Sequence, residues 1–255
     1  MLLIPLVLAP AVMAVATVIE RRLGPSAGGW VGALPVAFAV AVLAVTLDAG
    51  PETAASMALS AAVHVPAQVA LGLVFAHVLA RRGLIRGAVC GAVTYLVCSL
   101  LVGQAPTVLA VAVAVAALWF APRLMPGGRL RRGSPRHWSA TALTCLSAVV
   151  IVAAAVLSSR LAGPGLAGAL AAFPTMCTML TVVAVLRDGP LAGVHTLAGL
   201  VRSLPCYLAF CLVVAVAAPA FGLPAIGFGL LACLAAASVT WRRVPIAAVT
   251  ARDVR

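Results

Sequence analysis

Apolar stretches of about twenty residues, almost free of charge, follow one another along the whole chain. A helix rising ~1.5 Å per residue needs about twenty such residues to cross ~30 Å of hydrocarbon. Runs of that length therefore read as membrane-spanning helices. Composition agrees, with 64% hydrophobic residues, 9% charged residues and a mean hydropathy of +1.20. A soluble domain carries roughly a quarter charged residues and under half apolar ones. The reading is an all-α, polytopic transmembrane bundle. It has nine spans, at 1–19, 27–47, 54–80, 87–103, 107–122, 139–158, 165–186, 192–218 and 223–241. If one of the short pair 87–103 and 107–122 is re-entrant, the count is eight.

The net charge of +12 does not signal nucleic acid. All seventeen basic side chains are Arg, and they sit in short clusters between apolar runs. Cations placed that way fix orientation in a membrane. With the N-terminus outside, fifteen of the seventeen fall in cytoplasmic segments, Arg160 falls outside and Arg202 lies within a span. The external loop at 48–53 holds Asp48 and Glu52. The first run lacks a basic leader, and its charges, Glu20, Arg21 and Arg22, follow it. That order suits an uncleaved span entering from outside. The connection from Arg123 to Trp138, rich in Arg, Gly and Pro, reads as a cytoplasmic linker.

Shifted by 139 residues, the chain lies on itself without a gap over about 64 positions. Gly24-Pro25 meets Gly163-Pro164, Gly29 meets Gly168 and Pro35 meets Pro174. Gly50-Pro51 meets Gly189-Pro190, Pro66 meets Pro205, and Gly83-Leu84 meets Gly222-Leu223. Glycine and proline matches carry weight in so Ala- and Val-rich a chain, because each marks a backbone requirement. The organisation is a membrane repeat at 1–103, a linking helix and basic loop at 104–138, a second repeat at 139–241 and a cytoplasmic tail at 242–255. Four spans on each side of one extra span make the halves inverted. Inverted repeats are a recurrent build of secondary transporters.

Ala167-Gly168-Ala169-Leu170-Ala171-Ala172-Phe173-Pro174-Thr175, Gly189, Arg202-Ser203-Leu204-Pro205-Cys206-Tyr207 and Gly222-Leu223-Pro224 together resemble the GlpM-like family. The similarity spans roughly 140–241 and is fainter around Gly32-Ala33-Leu34-Pro35. These are small bacterial inner-membrane proteins of four helices. The resemblance implies a tandem fusion of two such units in the bacterial cytoplasmic membrane.

Ser56, Ser60, His64 and Gln68 recur every fourth residue, one stripe along a helix. The matching span 192–218 holds His195, Gly199, Arg202, Ser203, Cys206 and Tyr207, largely on one face. Such seams serve helix packing or line a solute path. Arg202 stands near mid-depth, where a charge faces the bundle interior or a wet cavity. Its forked guanidinium suits a carboxylate or phosphate, and carbonyls freed at Pro205 are its alternative partners. His64 is a candidate proton carrier. The kink prolines are Pro35, Pro66, Pro174 and Pro205.

The seven Cys all lie in apolar runs without a CxxC pair, so they read as packing residues and no metal site is expected. No hydrolase, zinc, nucleotide or dinucleotide motif occurs, and the five acids lie at membrane edges or in the tail. The chain is not expected to be an enzyme or to hold a cofactor. Its expected partners are the bilayer and a small solute, anionic if Arg202 touches it. The rival is a non-catalytic scaffold or envelope-assembly protein. Reporter fusions after Asp48 and after Arg132 should report opposite faces of the membrane; the same face for both would overturn the orientation.

Overall fold

A computed structural model describes residues 18–19, 22–127 and 173–244, and these contain helices and no strand. The helices are α1 (Pro25–Gly32), α2 (Val36–Ala49), α3 (Pro51–Val63), α4 (Val65–Arg82), α5 (Leu84–Gly103), α6 (Thr107–Leu124), α7 (Thr175–Asp188), α8 (Pro190–Phe221) and α9 (Pro224–Thr240). A short 3-10 turn, Trp241–Arg243, follows α9. The expected span 139–158, most of 1–19, the linker beyond residue 127 and the tail beyond residue 244 lie outside the described residues. So do Cys145, Arg160 and the part of the family resemblance before Phe173.

Two expected spans take a different form. The span 27–47 is α1 and α2, separated at residues 33–35. Proline has no N–H and disfavours helical geometry in the residue before it, so the chain cannot carry one helix smoothly into Pro35. The span 54–80 is longer, Pro51–Arg82, and bends at His64 (φ −84°, ψ 0°). Pro66 cannot donate to the Ala62 carbonyl, and the His64 N–H is directed at Ala62 and Ser60 instead. Taken as one rod, this segment leaves eight helical rods among the described residues, against nine expected spans. Four are long and apolar enough to cross a membrane: Pro51–Arg82, Leu84–Gly103, Thr107–Leu124 and Pro190–Phe221.

Equivalent elements start and stop in step. Helices α2 and α7 are both 14 residues long, and each begins one residue after a proline, Pro35 or Pro174. The rods Pro51–Arg82 and Pro190–Phe221 are both 32 residues long. Each pair is offset by 139 positions. The turns entering the rods use Gly50 and Gly189, both at φ +88°, where a Cβ would be strained.

The two long rods form the centre. Gly72 abuts Val201, and Gly193 abuts Leu79 and Thr181. The Gln68 side chain lies beside the Tyr207 phenol. As position rises on α4 from 68 through 72 to 79, the partner on α8 falls from 207 through 201 to 193. The rods therefore run antiparallel. Phe38 of α2 packs on the crossing, with ring centroids 5.4 Å from Tyr207 and 6.2 Å from Phe210.

Hairpins flank the rods. Phe75 presses into Gly87 and Gly91 of α5, and Phe210 and Val214 press into Gly229 of α9. Phe75 and Val214 are themselves 139 apart. Helices α5 and α6 turn large apolar side chains outward, including Ile85 at 79% and Val108 at 82% exposure. An apolar exterior of this kind suits hydrocarbon.

Helix α1 lies backbone to backbone on the start of α8. A Cβ on Gly29 would collide with the Thr196 carbonyl, and one on Gly199 with the Ser26 carbonyl. Gly199→Val should lower stability by about 1–3 kcal/mol or more, since neither backbone can yield easily. Gly103→Ala, which meets nothing within 4 Å, should stay within about 0.5 kcal/mol. Thermal unfolding in detergent, followed by circular dichroism, checks both; equal midpoints would refute the close contact.

Candidate functional site

The serine–histidine stripe does not form one interior face. Ser56 is exposed, Ser60 is half-buried, and His64 and Gln68 are buried. Burial along the stripe increases from Ser56 towards the helix break at His64 and stays high at Gln68. Ser56 is therefore withdrawn from any buried solute path.

Both residues two positions before a rod proline bond back to their own helix. His64 Nδ1 donates to the Ser60 carbonyl at 2.7 Å. A carbonyl can only accept, so Nδ1 carries the hydrogen, and Nε2 of the neutral ring is an acceptor. Ser203 Oγ donates to the Leu200 carbonyl at 2.8 Å. His64 and Ser203 are equivalent at the 139-residue offset. These bonds occupy polar atoms that spacing alone had made candidates for a ligand.

Gln68 and Tyr207 are also equivalent at the 139-residue offset, and their side chains lie side by side, with Cys211 beside the phenol. Both are buried, at 3% and 7% exposure. The structure thus joins the two seams at this one pair. His195 Nδ1 lies 3.3 Å from Ser26 Oγ and ties α8 to α1. On the next turns of the same α8 face, Cys206 Sγ is 3.3 Å from Thr240 Oγ1.

Arg202 is half-buried, and its Nη1 is buried with no acceptor among the described residues. The carbonyls near Pro205 thus leave Nη1 unsatisfied. The described acids do not reach it either: Asp188 pairs with its neighbour Arg187 at 2.7 Å in the α7–α8 turn, and Asp48 and Glu52 are exposed at the α2–α3 turn.

The four prolines behave differently. Pro35 and Pro174 precede α2 and α7, Pro66 lies in the first turn of α4, and only Pro205 sits inside a continuous helix. Pro35 and Pro174 are therefore helix-starting positions, whereas Pro66 sits at the break within its rod and Pro205 inside a continuous helix. Among the described residues no group of three or more metal-binding side chains occurs, and the six described Cys form no disulfide with one another.

Trp30 escaped the sequence reading. It is 6% exposed, its Nε1 has no acceptor among the described residues, and its ring stacks edge-on to Trp241 at 4.9 Å. The only local signal was a large ring directly after Gly28-Gly29, where two backbones come close.

The Gln68 amide and the Tyr207 hydroxyl lie side by side across the two rods, so a hydrogen bond between them is expected to couple the two side chains. Bonds between membrane helices average about 0.6 kcal/mol and reach about 1.7. Tyr207→Phe and Gln68→Leu should each cost an amount in that range, and the double variant little more than either. A double-mutant cycle by detergent unfolding measures this, and additive losses would show that the two do not interact.

No family model matches the chain, and neither does any curated protein or solved structure. What the protein does is inferred from the two rods, their crossing and the donors beside it.

Proposed function

We propose that the chain is a carrier for a small solute bearing negative charge or a strong acceptor, built from two inverted repeats in the bacterial cytoplasmic membrane. The observation that carries this reading is the antiparallel crossing of the rods at Gln68 and Tyr207. Two equivalent residues that touch each other lie on the axis relating their halves. An axis that relates antiparallel spans lies in the membrane plane, the arrangement in which carriers hold solute near the midplane. Arg202 is five residues from Tyr207, about 7–8 Å along the helix, so it lies close to that plane.

Charge supports the inversion. The turn at Gly50 carries Asp48 and Glu52, whereas its equivalent at Gly189 carries Arg187 and Asp188. The turn at Gly83 is flanked by Arg81, Arg82 and Arg86, whereas its equivalent at Gly222 has no charge nearby. Equivalent turns on opposite faces should differ in just this way under the positive-inside rule. The nine-span count, with the N-terminus outside and the C-terminus inside, belongs to this reading. So does the tandem GlpM-like origin of the halves.

In the carrier, Arg202 supplies the charge and His64 Nε2 is available for a coupled proton. Ser60 remains at the margin of the path. Ser203 and Ser56 are assigned no contact with solute, the first because it bonds its own helix and the second because it faces outward.

A second reading, a scaffold working through helix contacts, draws on a specific observation. The contacts of Gly29 and Gly199 bring backbones together with no room for a side chain, as in tightly closed helix pairs. Flux into proteoliposomes under an imposed pH gradient, run against a panel of small anions, separates the two. The carrier reading expects uptake that Arg202→Met abolishes while the protein still inserts, because removing an intramembrane charge does not hinder insertion. His64→Gln should keep binding and weaken the pH dependence. If the wild type moves none of the anions and Arg202→Met has no phenotype, the scaffold reading stands.

A further inference from the structure

Two buried donors lack an acceptor among the described residues, and the fold brings them to one seam. One is Trp30 Nε1, in a residue 6% exposed; the other is Arg202 Nη1. Gly199 of α8 lies against the backbone of Ser26 and Trp30. Cys206, seven residues on, meets Thr240, and the next residue, Trp241, stacks on Trp30 at 4.9 Å. Arg202 is three residues after Gly199 and four before Cys206, so all three share one face of α8. Arg202 therefore stands between the α1 contact and the end of α9, on the side where the two Trp rings meet.

An indole N–H and a guanidinium can only donate. Two such groups cannot satisfy each other, and leaving buried donors unmade is costly. A cation is repelled by Arg202. We propose that Trp30 Nε1–H and the Arg202 guanidinium form a two-donor seat for an oxyanion, a carboxylate or phosphate group, walled by the Trp30 and Trp241 rings. One oxygen accepts from the indole while the guanidinium holds the charge. The ring wall favours an anion with an apolar flank over a bare inorganic ion. A solute and a lipid headgroup both offer such oxygens. The assignment of the seat to a solute rests on the carrier reading; the seat itself does not.

The test uses the full chain labelled with 5-fluorotryptophan in nanodiscs, with the Trp30 resonance assigned by its loss in Trp30→Phe. Butyrate and inorganic phosphate are titrated into phosphatidylcholine discs, and phosphatidylglycerol is introduced in a separate arm. A saturable shift of the Trp30 resonance with butyrate, stronger than with phosphate, supports a seat for a free organic anion. A shift on phosphatidylglycerol alone supports a seat for a headgroup. Arg202→Met should remove the response. Arg202→Lys, which keeps the charge without the fork, and Trp30→Phe, read at the Trp241 resonance, should each raise the midpoint about tenfold or more. No shift in any arm, or an unchanged midpoint in Arg202→Met, overturns the seat. Flux that is lost in Arg202→Met while the Trp30 resonance never moves leaves a carrier without this seat; a resonance that shifts without flux leaves the seat and removes the carrier.

Discussion

The close approach of two antiparallel rods is the constraint from which the rest of the structure follows. Between helices in hydrocarbon there is no hydrophobic driving force, so association depends on van der Waals contact and on small residues that allow it. The interior is accordingly rich in alanine, with Ala54, Ala58, Ala61, Ala62, Ala67 and Ala76 all buried on one rod. Gly72 and Gly193 let α4 and α8 touch, and Gly29 and Gly199 let α1 lie on α8. Once these four contacts are made, α5 and α6 have only their inner faces to bury, and their outer faces are left for lipid.

The same medium decides what the polar side chains do. With no water to bond, a hydroxyl or ring nitrogen takes the nearest acceptor, the carbonyl four residues back on its own helix. Thr46, Thr178, Thr181 and Thr196 all do so, at 2.7–3.1 Å. His64 and His77 use Nδ1 in the same way. A stripe of hydroxyls every fourth residue therefore records a helix face and says little about a ligand. Arg202 is the exception because its chain is long and its five donors exceed what one turn of helix offers.

The parts of this fold that were legible in the sequence are those governed by single residues. Gly50, Gly83, Gly189 and Gly222 were matched in pairs by sequence, and each ends or begins a helix at positive φ. The apolar runs at 87–103 and 107–122 are α5 and α6 with ends shifted by at most three residues. What could not be read depends on partners distant in the chain. Nothing around Arg202 announces that Trp30, 172 positions earlier, is brought to the same seam by two glycines. Likewise the break at residues 33–35 and the bend at His64 arise from which carbonyl a proline strands and what claims it, and a proline in a sequence looks the same in either case.

Pro66 and Pro205 show how far that dependence goes. They occupy equivalent positions in equal rods, yet the first rod is interrupted at His64 and the second runs on as one continuous helix. Two residues before Pro66 stands His64, whose ring occupies the Ser60 carbonyl and whose backbone leaves helical geometry at ψ 0°. Two residues before Pro205 stands Ser203, whose short side chain reaches the Leu200 carbonyl without disturbing the turn. The difference lies one turn from the Gln68–Tyr207 contact, so the two halves are unequal next to the place where they meet. In the carrier proposed above, access would alternate as one half moves against the other, and a break present in only one rod would give that motion a part of the structure in which to occur.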